Sequence, residues 1–159
     1  MSLFIKFDGI DGEAKDKDHK QWSDLLSMSW GVSKAGGGAT GQTRRRGVAV
    51  VEDMAITKEA DKSSPKLAEA VVSGKVFPKV EIHNTATYGE GRATFMKYEL
   101  KNVAITMHSL GASGGGDAVP QETMSLNFEE VKMTYIEYDD KGSKKGNVEM
   151  SWKVEEGQK

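Results

Sequence analysis

The sequence predicts a mainly β fold built from long bent strands that serve two sheets or turn a barrel corner, with one short α-helix and an extended glycine-rich loop. Three observations carry this. Most of the chain alternates apolar and polar residues with a period of two, the pattern of strands with one buried face. Two long runs change phase by one residue partway along. A single segment carries helix signals instead.

Leu3 to Phe7 is the first short strand. From Leu26, the residues Met28, Trp30 and Val32 alternate with Ser27, Ser29 and Gly31, giving one apolar and one small face. Val48 to Thr57 reads as a third strand with Met54 and Ile56 on one face, and Lys75 to Thr87 as a fourth with Val76, Val80 and Ile82 together. Pro78 marks an edge or a strand start, because proline cannot donate to a ladder. In ATFMKYELKNVAITMHS, Met96, Tyr98 and Leu100 share one parity and Val103, Ile105 and Met107 the other. In ETMSLNFEEVKMTYIEY, Met124, Leu126 and Phe128 give way to Val131, Met133 and Tyr135. A slip of one residue turns every later side chain to the opposite face unless a bulge or bend absorbs it. Both runs are therefore expected to be long bent strands. The last strand, Asn147 to Val154, alternates Val148, Met150, Trp152 and Val154 after the turn DDKGSKKG.

The helix is expected in DKSSPKLAEAVVSGK, with Ser64 as N-cap, Pro65 at the first helical position and Gly74 ending it in the left-handed conformation. Leu67, Ala70 and Val71 form a narrow apolar stripe. A helix of about ten residues is not stable alone in water, so it must dock on the sheets or on another subunit.

A chain of 159 residues fits a single domain, since one domain typically holds about 100 to 150 residues and a chain this size buries most of its unfolded surface. It has no cysteine, which excludes disulfides, thiolate metal sites and a cysteine nucleophile. Lysine plus arginine number 22 against 24 acidic residues, so no global field favours nucleic acid or an anionic membrane. The start MSLFIKFDGIDGE has no basic region, apolar run or small-residue cleavage site, and no segment approaches the roughly 20 apolar residues of a membrane span. The expectation is a cytoplasmic product without membrane insertion that leaves the cell, if it does, by a route needing no cleaved signal.

Several segments resemble chemical motifs and fail on inspection. The stretch KFDGIDGEAKDKDHKQW, Lys6 to Trp22, gathers Asp8, Asp11, Glu13, Asp16, Asp18 and His19. An EF-hand loop needs oxygen ligands at alternating positions, glycine at the sixth and glutamate at the twelfth; counted from Asp8, Ile10, Glu13 and His19 occupy the third, sixth and twelfth positions. A solvated turn shaped by Gly9 and Gly12 is the better reading. GGGATGQT, Gly36 to Thr43, matches a phosphate loop except that Gln42 stands where the lysine belongs, and it leads into a strand where such a loop must open a helix. Arg44, Arg45 and Arg46 have no aromatic platform beside them, so pairing with an acidic patch on a neighbouring subunit is favoured over nucleic acid. His19, His83 and His108 form no ligand pair, no G-x-S-x-G elbow is present, and Glu129 and Glu130 point to opposite faces unless a bulge lies there. No enzyme, metal or cofactor is expected.

The ordered segments FIKFDGIDGEAKDKDHKQW, LLSMSWGVS, ITKEADKSSPKLAEAVVSGKVFPKVEI and YELKNVAITMHSLGASGGGDAVPQETMSLNFEEVKMTYIEYDDKG, with the Trp152 strand, resemble the hemolysin-coregulated protein (Hcp) family, the tube component of bacterial type VI secretion systems. The resemblance runs from Leu3 to about Val154. It places Lys6, Gly9, Gly12, Glu13 and His19 on the family's first strand and the corner after it, so the acidic residues there are scaffold. It implies a two-sheet β-barrel with one helix alongside.

It also implies a mechanical role. Family members form homohexameric rings that stack into a hollow tube, which a contractile sheath drives out of the cell behind a VgrG-type spike protein, with small secreted effectors in the lumen. Assembly in the cytoplasm followed by secretion fits the absent signal. A ring of identical subunits needs two different complementary surfaces. The loop of Gly36, Gly37, Gly38, Gln42, Thr43, Arg44, Arg45 and Arg46 resembles the family's extended loop and is assigned to ring stacking. Ser109, Ser113 and Gly114, in the glycine-rich loop after the fifth strand, are assigned to the ring rim or lumen. The competing readings are a tail-tube protein of a phage-like contractile particle and a monomeric ligand-binding β-barrel.

Overall fold

The computed structural model describes residues 1–34 and 49–154. In chain order the elements are β1 (Ser2–Phe7), β2 (Ser23–Leu25), β3 (Ser27–Ser29), β4 (Val32–Lys34), β5 (Ala49–Val51), β6 (Met54–Glu59), α1 (Ser64–Ser73), β7 (Val76–Tyr88), β8 (Gly91–Gly111), β9 (Gln121–Asn127), β10 (Glu130–Tyr138) and β11 (Lys144–Lys153). Every pairing is antiparallel. The main sheet runs β2-β1-β7-β8-β9-β6-β3, with β10 also on β8 and β11 on β10; the second sheet is the small β4-β5 pair. The two ends of the main path, β2 and β3, are separated only by Leu26, whose N–H donates to the Thr57 carbonyl at 2.8 Å. The sheet therefore wraps round on itself, although the ladder does not close.

The parity slips fall where the sheet turns. β8 is a single strand of 21 residues. Leu100 and Val103 are both fully buried, and the phase change between them is absorbed by Asn102 in the left-handed region, φ 53°. Phe77 pairs with Val103 and Lys79 with Lys101, which sets Pro78 opposite this kink. The non-donating nitrogen thus sits where the ladder is already interrupted, beyond the end of β1 at Phe7–Val80. Pro78 is a local edge within a strand that is otherwise central, consistent with the restriction on strand proline.

The second slipping run is two strands and not one. β9 lies along the C-terminal half of β8 and β10 along its N-terminal half, with Phe128 and Glu129 between them. The Glu129 N–H donates to the Lys101 carbonyl at 3.0 Å, and Asn102 Nδ2 donates to Glu129 Oε2 at 2.8 Å. These bonds hold the bend against the kink in β8. The expected strand from Val48 to Thr57 is also divided: β5 leaves for the small sheet and β6 stays in the main one, with Asp53 between them accepting from Asn127 Nδ2 at 2.9 Å. Val48 itself lies outside the described residues.

Inward-facing Ile5, Phe7, Ile56, Val80, Ile82, Leu100, Met124 and Leu126 make the core, and α1 closes it with Leu67 and Ala70. The helix runs from Ser64, with Ser63 as its N-cap and Gly74, φ 70°, as its C-cap. The cap lies one residue before the expected Ser64, since the Ser63 carbonyl accepts the first helical bond from the Leu67 N–H at 3.0 Å. Neither serine hydroxyl caps a helix N–H, as Ser63 donates to Asp61 and Ser64 to Glu122 Oε1 at 2.9 Å.

Candidate assembly surfaces

The acidic corner is a scaffold. Gly12 N–H donates to the Gln21 carbonyl at 2.7 Å and Ala14 N–H to the Trp22 carbonyl at 2.8 Å, so the corner folds back on itself as an extended pair. A side chain at Gly12 would collide with Ser23 Oγ and with the Trp22 carbonyl, which is why glycine stands there. Lys6 Nζ donates to Asp11 Oδ1 at 2.8 Å and to the Ile10 and Gln21 carbonyls. The carboxylates spread around this frame, and the described residues hold no group of three acidic or histidine side chains suited to a metal. Glu13 Oε2 accepts from the Lys62 N–H at 2.9 Å, fastening the corner to the approach to α1.

A polar network lies in the interior. Lys58 on β6 and Glu122 on β9 stand directly opposite each other and are fully buried. The Lys58 ammonium donates to Glu122, to Asp61 Oδ1 at 3.0 Å and to the Glu59 carbonyl at 3.0 Å. All three of its protons are thereby placed, the condition under which a buried charge is tolerable. Glu122 also takes the Ser64 hydroxyl at Oε1, and its Oε2 lies 2.9 Å from His108 Nε2. Burial is the strongest influence on Asp61 and pushes its carboxyl up, yet donors from Ser63, Ser23 and Lys58 together hold it below the usual carboxylate range. One network thus joins β6, β8, β9 and the start of α1.

The sites expected from sequence have different outcomes. The loop Gly36 to Arg46, with Gln42, Thr43, Arg44 and Arg45, lies outside the described residues. Ser109, expected in the loop, lies within the last residues of β8 opposite Thr123, while Ser113 and Gly114 are exposed in the connection to β9. A shallow groove of about 520 Å³ runs between them, lined by Ser109, Ala112, Ser113, Val119, Gln121 and Thr123. Its walls are small or flexible. Glu129 and Glu130 do sit at a bend, where Glu129 accepts from Asn102 and Glu130 lies 3.9 Å from Lys101.

One surface was not legible as such. On β8, β10 and β11 the register aligns three apolar rows: Leu100–Val131–Trp152, then Tyr98–Met133–Met150, then Met96–Tyr135–Val148. The first row is covered, in part by Trp30 and Val51 across an apolar cleft. The second is half-buried. In the third, Tyr135 is 47% and Val148 75% exposed. The opposite face carries Lys97, Glu99, Lys132 and Glu149, with Lys132 Nζ 2.9 Å from Glu149 Oε2. β11 pairs only with β10, leaving its far edge open among the described strands. An apolar strip thus leads out of the core beside an open edge.

These features describe a β-barrel whose specialised parts are surfaces. Residues 4–135 match the family described as "Type VI secretion system effector, Hcp". The chain is 34% identical over 155 residues to protein hcp1 of Pseudomonas aeruginosa, covering 97% of this chain and 95% of that one. A solved structure of a type six secretion system protein superposes with a TM-score of 0.90 at 30% identity, covering 99% of this chain and 98% of that one. The fold is shared with Hcp1 from Salmonella typhimurium, TM-score 0.78 at 24% identity, with 99% of this chain and 97% of that one covered. The chain belongs to the Hcp family of type VI secretion proteins. This is a family of structural, secreted tube proteins and not of enzymes.

Proposed function

We propose that six copies of this chain close into a ring, that rings stack into the inner tube of a type VI secretion machine, and that the chain performs no catalysis of its own. The observation that carries this reading is the apolar strip ending in Met96, Tyr135 and Val148 beside the open edge of β11. In a tube protein the occupant of such a strip is a second copy of the same chain. A closed ring of like subunits uses heterologous contacts, so this face meets a different surface of the neighbour. Charged Lys144, Lys145, Glu149 and Lys153 along β11 discourage indiscriminate edge pairing and select the register.

The resemblance to the family supports the remaining assignments of this proposal. The loop of Gly36, Gly37, Gly38, Gln42, Thr43 and the three arginines contacts the adjacent ring. The Ser109, Ser113 and Gly114 segment faces the rim or lumen, where small side chains leave room for cargo. The tube assembles in the cytoplasm, is driven by sheath proteins behind a VgrG-type spike, carries small effectors and is itself secreted. No helix among the described residues is long and apolar enough to cross a membrane.

Two charges introduced together, Tyr135→Asp and Val148→Asp, test the ring face. Ring formation, measured by light scattering after size exclusion, is expected to be lost while the subunit stays folded by circular dichroism. Intact rings in that variant refute the assignment. Deleting Gly36 to Thr43 tests stacking separately: single rings are expected with short or absent tubes by electron microscopy, and unchanged tubes contradict the role given to that loop.

A further inference from the structure

Beneath the corner, Asp16, His19 and His83 are joined by hydrogen bonds, and Glu81 stands just beyond them. His19 Nδ1 lies 2.6 Å from Asp16 Oδ2, and His19 Nε2 lies 3.0 Å from His83 Nδ1. His83 Nε2 faces Glu81 Oε2 at 3.6 Å. The rings are held in place: Phe4 stacks on His19 at 4.4 Å, and Trp22 packs edge-on to His19 and against His83. His19 is 3% exposed.

The number of protons in this chain decides where each one sits. An ionised Asp16 only accepts, so the His19 Nδ1 carries hydrogen. With both rings neutral, His19 Nε2 is then a lone pair, and His83 must donate to it from Nδ1. His83 Nε2 is left as a second lone pair pointing at the Glu81 carboxylate, two acceptors face to face. If His19 takes up one proton, its Nε2 becomes a donor and His83 Nδ1 must accept. The single hydrogen of His83 then belongs on Nε2, where it points at Glu81. One proton bound inside the corner reverses the polarity of the contact at the sheet.

We propose that Asp16, His19 and His83 form a one-proton relay, in which protonation of His19 moves the hydrogen of neutral His83 from Nδ1 to Nε2, where it faces Glu81 two residues away on the same strand β7. The surrounding charges suit this division of roles. The corner supplies Asp16 and Asp18, β8 supplies Arg92 at 3.5 Å from Asp16 together with Lys97, and Tyr138 of β10 lines the same cavity of about 290 Å³. Lys6 of β1 and Glu99 of β8 flank Glu81 in the register, and Lys79 holds its other oxygen at 2.9 Å. Burial first, then the positive potential of His19 and Lys97, brings the His83 ring down to about 4 against the pull of Glu81. His83 thus stays neutral while it relays. Glu81 and Glu99 belong to the charged face of the sheet, so that face registers the state of a proton held out of solvent.

Ring-nitrogen NMR of ¹⁵N-histidine-labelled protein, followed from about pH 8 to about pH 5, decides the matter without reference to ring assembly. The expected result is one shared midpoint at which His19 becomes protonated on both nitrogens while His83 exchanges its Nδ1 hydrogen for Nε2 and stays neutral. In His19→Gln, His83 should lose this exchange. A His83 that keeps one tautomer throughout the wild-type titration, that titrates at a separate midpoint, or that itself takes the charge, overturns the relay. The wild-type titration suffices even where the variant fails to fold.

Discussion

Single residues in this protein are constrained most where polar groups are buried. Lys58 and Glu122 each lose their fully buried counter-charge if the other is removed, keeping only Asp61 for the lysine and Ser64 with His108 for the glutamate. Lys58→Met or Glu122→Leu alone is therefore expected to cost about 3–5 kcal/mol in denaturant unfolding, and the double replacement less than the sum of the two. Additive losses would show that the two charges are not stabilised by each other. Asp61 gives the pair a pH signature. Its folded carboxyl is depressed below the unfolded value, so its contribution is fully present above the ordinary carboxylate range and is lost as pH falls through the folded value. Asp61→Asn should therefore be less stable than wild type at neutral pH, the gap closing in acid. Gly12→Ala, forced against Ser23 and the Trp22 carbonyl, should cost about 1–3 kcal/mol by overpacking, read in the same urea titrations. Some of this was readable: Lys58 shares parity with Met54 and Ile56, and Glu122 with Met124 and Leu126, so opposite charges stood at inward positions of both runs. The His19–His83 contact left no such mark, because a sequence separation of 64 lies beyond the reach of any local period.

Among the elements, the strands announced themselves through their period and the bends through its interruption. The slip between Leu100 and Val103 located the kink at Asn102 within a residue or two. What the period does not contain is which strand lies beside which. The run from Glu122 to Tyr138 was legible as a phase change but not as two strands, since continuity depends on the bond from Asn102 to Glu129, across the sheet. Breaking that bond with Asn102→Ala removes both the side-chain donor and a residue tolerant of positive φ. It is expected to destabilise the barrel by about 1–3 kcal/mol, with Asn102→Gly recovering the backbone part. Equal losses for the two variants would show that the left-handed conformation at the kink costs nothing. The three-row apolar strip was hidden for a related reason: Met96, Tyr135 and Val148 each look like core in their own strand, and only the register shows that the rows run outward past the last covering residue.

For the whole molecule, the family resemblance was legible in the order of segments along nearly the full chain, and the superposition on a type six secretion system protein agrees over 99% of it. The two glycine-rich loops carry little of that signal, because glycine constrains the backbone weakly. A barrel with an apolar strip, a charged opposite face and an open strand edge is organised for neighbours. The most direct test is the solution mass of the purified chain, by light scattering coupled to size exclusion over a dilution series at moderate salt. A mass of six subunits that holds on dilution is the predicted result; a monomer at every concentration would contradict ring formation and leave the strip without its partner.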